Sequence, residues 1–284
     1  MTSPCILCYH KVDRRVELGV TRLSPKRFAR QIERLARTGH ATLSLADLRA
    51  CLTGARRQAP NEIAITFDDG YRALRDHAFP VLAAHGFTAI CFVVTDYAGR
   101  LNRWDVAYGG RRFAHLAWRD MRRWQSRGIE FASHTATHPR LTWLAEEDVA
   151  RELARSRADL RAALDVDTRA LSWPFGAHTG REEAIAQREG YDVAFTIGDG
   201  RDWTGDRFAV PRHPVYMWSP PMPGLGVLAP LDVLAGIIAN RCAVGTSIIR
   251  GRAEARFIRG LATAPAPVSD QPHRVGRRSD TVAR

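Results

Sequence analysis

Two short segments carry residues whose types and spacing suit metal-assisted hydrolysis. The first is Thr66-Phe67-Asp68-Asp69-Gly70, which follows an apolar run. Neighbouring side chains at a strand end point to different sides. One aspartate can therefore bind a metal while the other does something else. The second is Ser133-His134-Thr135-Ala136-Thr137-His138. Histidines four apart meet on one face of a helical turn, which is metal-ligand spacing. Two imidazoles and one carboxylate leave positions open for water and substrate, the donor pattern of a catalytic ion. Such an ion makes its water easier to deprotonate, and a nearby carboxylate can accept the proton. Singly, each segment is ambiguous. An aspartate pair often forms a turn or caps a helix, and most His pairs at this spacing bind nothing. Both lie at strand ends, with a Pro174-Phe175-Gly176 turn after a further strand, and that combination favours a site.

The elements that must position these groups alternate. Apolar runs at 6–9, 63–67, 88–94, 129–132, 170–173 and 193–196 read as strands. Between them lie helical stretches. Ser24 caps one, with Pro25 in its first turn and Phe28, Ile32 and Leu35 on one face. Ser44 caps another that runs to Leu52. Further helices are expected over 71–85, 118–127, 146–164 and 181–189, several stopped by glycine. Repeated βα alternation argues a parallel sheet covered by helices, either a barrel or an open doubly wound sheet. In both, functional groups gather at the C-terminal ends of the strands.

The segments TFDDG and SHTATHPRL, followed by WPFG, resemble motifs of the polysaccharide deacetylase family, also called the NodB-homology or carbohydrate esterase family 4 group. The likeness runs roughly over residues 6–215, about three-quarters of the chain. It implies a distorted (β/α)7 barrel of α/β class with a C-terminal extension, and metal-dependent removal of N-acetyl groups from sugars. By the resemblance Asp68 is the general base, and Asp69, His134 and His138 bind a divalent metal. Zinc is expected, and iron, cobalt or nickel suit the same donors. The Phe175 N–H helps hold the oxyanion, with Pro174 and Trp173 alongside for substrate. Two features depart from the common pattern. Ser172 stands where the third motif usually has Arg, and no late Leu-x-His occurs. Both fit a permuted subgroup of exopolysaccharide deacetylases. There an early Tyr-His supplies the acid and a late Pro-Arg the guanidinium, here Tyr9-His10 and Pro211-Arg212. His10 is then the general acid, with His213 as its rival, and Arg212 orients Asp68.

Composition narrows the field. The 284 residues are 45% hydrophobic and 25% charged, ordinary for a globular protein. No apolar stretch is long enough for a transmembrane helix. The opening MTSPCILCYHKV lacks the regions of a signal peptide, so a cytoplasmic protein is expected. Five cysteines do not suggest a disulfide framework, and Cys5 and Cys8, three apart on a strand, face opposite ways. The formal charge is +12, and all basic residues but Lys11 and Lys26 are arginine. This suits anionic partners, and peripheral contact with an anionic membrane or a lipid-linked sugar through the basic C-terminal region is one expectation. A nucleic-acid binder would show a recognition helix or aromatic-basic interleaving, and neither is present. The expected division is a catalytic domain over 1–218, an apolar, proline-rich extension over 219–250, and a disordered Arg-rich tail over 251–284. Two rival functions use the same fold: a carbohydrate-binding relic without catalysis, and a small-molecule amidase. Asp199 to Trp203 reads as a turn that could line a groove. Trp104, Trp118, Trp124, Trp143 and Trp173 could stack on sugars, Trp173 foremost. His77, His85, His115 and His178 read as surface or packing residues.

Overall fold

The computed structural model describes residues 4–15, 21–102, 112–198 and 203–217. Trp104, Asp199 to Asp202, the 219–250 extension and the 251–284 tail lie outside them. In chain order the elements begin β1 (Ile6–Tyr9), β2 (Lys11–Val12), β3 (Arg22–Leu23), α1 (Pro25–Arg37), β4 (Ala41–Thr42), α2 (Leu45–Leu52) and β5 (Glu62–Phe67). They continue with α3 (Ala73–His77), α4 (Phe79–Ala84), β6 (Ala89–Val93), α5 (Trp118–Gln125) and β7 (Ile129–Ser133). The last are α6 (Glu146–Leu164), β8 (Ala170–Ser172), α7 (Gly180–Arg188), β9 (Val193–Ile197) and β10 (Val210–Pro214).

Seven parallel strands close a ring in the order β1-β10-β9-β8-β7-β6-β5, with β5 pairing back to β1. This is the (β/α)7 barrel. The short β4 lies on the start of β5. The seam between β7 and β8 is thin, with a single register pair, Ser133 to Leu171. Alternation along each strand sorts the side chains. Ile6, Ala64, Ile90, Phe92, Ala132, Ala170, Phe195 and Val210 form one cluster, which Leu43, Leu48 and Leu52 join around α2. Leu7, Ile65, Cys91 and Phe131 belong instead to the layer under α1, α3, α4 and α5. The apolar interior stops at the C-terminal rim, where Asp68, His134, Ser172 and Arg212 begin.

Local chemistry explains the elements. Ser24 accepts a hydrogen bond from the Arg27 N–H at the start of α1, and Pro25 takes a position with no intrahelical donor to lose. Phe28, Ile32 and Leu35 are fully covered, each worth about 1.5–3 kcal/mol of burial. The expected helix over 71–85 is two helices. Pro80 has no N–H for the Asp76 carbonyl and its ring would clash there. The chain kinks at Ala78 (φ −107°), and Pro80 sits in the first turn of α4 instead. Strand β10 was not expected, because Pro211 and Pro214 each remove a ladder donor. Nevertheless it closes the ring between β9 and β1.

Candidate active site

The rim divides into two neighbouring groups. The first centres on Asp68, just beyond β5. Arg212, wholly buried on β10, grips its carboxylate with two parallel bonds: Nη1 to Oδ1 and Nη2 to Oδ2, both 2.7 Å. Nη2 also donates to Ser172 Oγ at 2.8 Å, and that hydroxyl donates to Asp68 Oδ2 at 3.1 Å. The Cys8 thiol is 3.6 Å from the same oxygen. The guanidinium lies over the rings of Phe92 and Phe195, at 5.2 and 5.8 Å from their centroids. Burial alone would raise the Asp68 pKa, but the Arg212 guanidinium overrides it and holds the carboxyl well below the usual carboxylate range. Asp68 is thus an ionised carboxylate fixed in one rotamer. Ser172, taken from the sequence as a mere absence of Arg, bridges the ion pair. Register explains this: alternation puts Ser172 and Arg212 both inside the barrel, on β8 and β10, with β9 between them.

The second group is Asp69, His134 and His138. Both imidazole Nε2 atoms lie 3.5 Å from Asp69 Oδ1. The His134 Nδ1–H donates to the Ser172 carbonyl at 2.8 Å, which in the neutral imidazole leaves Nε2 as an acceptor. Burial alone would lower the His134 pKa, but Asp68 and Asp69 raise it, so the pocket calls for positive charge beside Asp69, supplied by a proton on the imidazole or by a bound cation. Nitrogen, nitrogen and oxygen donors, all within 4.8 Å of one another, therefore fit a divalent cation.

The route to this geometry differs from the expected helical turn. Residues after β7 form an irregular loop in which Thr135 (φ 66°) and His138 (φ 62°) are left-handed. Side chains hold it: His138 N–H donates to Thr135 Oγ1 at 3.0 Å, and Thr135 N–H to Ser133 Oγ at 3.2 Å. From α6, Glu152 accepts from both the N–H and the hydroxyl of Thr137, at 2.8 and 2.7 Å. Among the described residues, four of the five non-glycine positions with positive φ are Asp69, Thr135, His138 and Phe175. Such conformations cost about 1–3 kcal/mol each and persist only where the surroundings impose them.

His10 follows β1 and is half-buried. Its ring nitrogen, the Asp68 carboxylate and Cys8 Sγ lie within 4.8 Å of one another. Burial lowers its pKa, against the opposing pull of Asp68 and Asp69. His213 is next to Arg212 on β10, so its side chain leaves the opposite face. It pairs in register with Leu7, a residue of the outer layer. Phe175 is left-handed (φ 61°, ψ 10°), and its ring meets His138 edge-on at 4.8 Å. Gly176 behind it is left-handed (φ 65°), and a Cβ there would press to 3.0 Å on Thr196 Oγ1.

Trp173 does not stack on a sugar. Alternation turns it outward from Ser172, where it is 1% exposed among Leu171, Ile185 and Tyr191. Its indole N–H donates to the Phe208 carbonyl at 2.7 Å, and His178 stacks on its ring. Pro174 is likewise buried. Trp118 and Trp124 pack against the outer layer. Trp143 is exposed. His115 packs, as the sequence suggests, with its ring against Tyr71 and Tyr97. It is buried, and its Nδ1 lies 2.7 Å from the Asp69 carbonyl. Burial pushes its pKa down to about 4. No motif marks it, since the bond spans 46 residues.

Comparison with known proteins agrees with this geometry. The family model described as polysaccharide deacetylase matches residues 55–194. YxkH of Bacillus subtilis (strain 168) is 27% identical over 195 residues, covering 69% of this chain and 64% of that protein. The poly-beta-1,6-N-acetyl-D-glucosamine N-deacetylase of Escherichia coli (strain K12) is 24% identical over 209 residues, 63% of this chain and 31% of its own length. The chain thus spans less than two-thirds of either relative. Among solved structures, the Streptococcus pyogenes deacetylase PplD, in complex with acetate, aligns with a TM-score of 0.68 at 22% identity. That alignment covers 77% of this chain and 95% of the other. IcaB from Ammonifex degensii gives 0.62 at 22%, over 84% and 97%. At these identities the two structures support the barrel fold.

Proposed function

We propose, from the premise that this chain belongs to the polysaccharide deacetylase family, that it hydrolyses the acetamide of N-acetylated amino sugars, releasing acetate and a free amine. One observation carries the reading: adjacent aspartates with separate partners, Asp68 gripped by Arg212 and Asp69 facing two imidazole nitrogens. A single buried site thereby offers a fixed proton acceptor beside a cation-binding triad. The substrate class is an N-acetylated hexosamine within a polysaccharide, an oligosaccharide or a lipid-linked precursor.

Asp69, His134 and His138 would hold the divalent cation, with zinc the first choice for this donor set. Bound there, it supplies Lewis-acid activation of water and of the acetyl carbonyl. The protein's own groups do the rest. Water oxygen bonds to the acetyl carbon, and Asp68 takes the water's proton. Asp68 is suited to this because Arg212 holds it ionised and unable to turn away. The backbone N–H of Phe175, on its strained turn beside His138, donates to the developing oxyanion. His10 then gives a proton to the nitrogen as the carbon–nitrogen bond breaks, so the amine leaves neutral. The base needs a low pKa and the acid one nearer neutrality, and the two environments differ in that sense.

The test is acetate release from a panel of N-acetylglucosamine oligomers of both β-1,4 and β-1,6 linkage and from lipid-linked N-acetylated sugars, with bound metal measured in parallel. Metal-dependent acetate release from at least one sugar is expected. Saccharide binding without acetate release by the metal-loaded protein would instead establish a binding relic.

A further inference from the structure

The geometry assigns a part in the cation site to a residue outside its ligand set: we propose that His115 is the positioning residue for Asp69. This rests on the reading of Asp69, His134 and His138 as a cation site. Asp69 reaches the shared point only in the left-handed conformation (φ 68°), which an aspartate does not prefer. Its buried carbonyl must then find a donor off the strand ladder. The His115 Nδ1 supplies it at 2.7 Å, and since a carbonyl only accepts, Nδ1 carries the hydrogen.

The imidazole is itself fixed. Its backbone pairs in antiparallel fashion with Tyr71. On either side, Arg72 N–H donates to the Ala114 carbonyl at 2.7 Å and Leu116 N–H to the Gly70 carbonyl at 2.9 Å. Its ring packs on Tyr71 and Tyr97, with centroids 4.8 and 5.8 Å away. The segment 114–116 is thus laced along 70–72, and the ring is aimed at one atom. The turn takes no side chain at the next residue. Gly70 is also left-handed, and a Cβ there would stand 2.7 Å from Val93 Cγ1. His115 is not one of the three clustered donors. It fixes the peptide that aims Asp69 Oδ1 at the point His134 and His138 share. Donors behind a metal ligand commonly set affinity to within one or two powers of ten.

The experiment uses the full chain stripped of metal and titrated with cobalt(II). Affinity is read by chelator competition, geometry by the cobalt absorption bands, and folding by thermal melts of the metal-free proteins. His115→Phe and His115→Gln should both bind cobalt roughly 10–100-fold more weakly, with altered bands. Phe has no donor, and the Gln amide extends past the Nδ1 position. His115→Asn, whose amide nitrogen can stand where Nδ1 does, should return affinity to within a few-fold of wild type. If His115→Phe fails to fold, the contrast between Gln and Asn decides alone. Wild-type affinity and bands in His115→Gln would overturn the proposal, as would His115→Asn binding as weakly as His115→Gln. Wild type that takes up cobalt but releases no acetate from any sugar removes the substrate reading and leaves His115 standing. Wild type that takes up no cobalt removes both.

Discussion

The two halves of the rim reach their order by opposite means. Around Asp68 each partner leaves a regular strand: Cys8 from β1, Ser172 from β8, Arg212 from β10. The carboxylate meets more donors than it has oxygens, and opposite charges sit in direct contact. Around Asp69 the backbone is left-handed at three positions, Asp69, Thr135 and His138, and two imidazole nitrogens face one carboxylate oxygen at 3.5 Å. The first half is complete as folded; in the proposed function the second is completed by a cation. The grip on Asp68 needs only the barrel, whereas Asp69, His134 and His138 are also braced from outside it, by Glu152 on α6 and by the 114–116 segment.

The largest expected effect separates the halves chemically. Asp68→Asn should retain the metal and lose roughly 10²–10⁴-fold in kcat, the usual scale for a positioned base. His134→Ala with His138→Ala should instead lose stoichiometric metal, read by elemental analysis. Retention of one tight ion per chain in that double variant would dissolve the distinction between the halves. Next comes stability. Arg212→Met leaves the Asp68 charge buried without its partner and should cost about 3–5 kcal/mol in urea unfolding. The sign with pH follows from the depressed Asp68 pKa. The ion pair's contribution is full above the unfolded carboxylate value, about 3.9, and is lost as pH falls through the lower folded value. The penalty of the substitution should therefore shrink in acid, and a penalty constant down to strongly acidic pH would refute the assignment.

Metal removal should reach the other half. At an ion concentration 100 times its Kd, binding stabilises by about 2.7 kcal/mol, so chelation should lower Tm. Asp68→Asn should show the same drop, and an unchanged Tm in both proteins would show that the triad holds no ion. The smallest effect is kinetic. His10 acts while protonated, so kcat/KM should fall as pH rises through a value below the ordinary histidine pKa of about 6.5. His10→Ala should lower kcat modestly and abolish that alkaline limb. Survival of the limb would remove His10 as the acid.

The same contrast shows what was legible in the sequence. The βα alternation and the chemistry-bearing pairs Asp68-Asp69 and His134/His138 are local patterns, and the barrel carries them at its rim. What failed depends on partners far away in the chain. A four-residue His spacing is shared by a helical turn and by a loop with two left-handed residues, and only the bonds from Thr135 and Glu152 select the loop. Trp173 looked like a sugar platform because its neighbours form the turn; strand parity from Ser172 sends it outward. Strand β10 was hidden by its two prolines. His115 has no signal in its own surroundings, since its partner carbonyl belongs to a segment 46 residues earlier.

The bonds from Arg212 to Asp68 join residues 144 apart. A chain that has left the ribosome only as far as β9 already contains both aspartates and both ligand histidines. It lacks the guanidinium that holds Asp68 ionised, and it lacks the strand that seals β9 to β1. Barrel closure and the Arg212–Asp68 pair therefore arrive in one event, when β10 is added. The loop that must close is nearly the whole domain, which places that event late and makes it slow. A chain truncated before β10 thus has all four rim residues but not the two bonds that grip Asp68, and in the proposed mechanism the last strand is what completes the base.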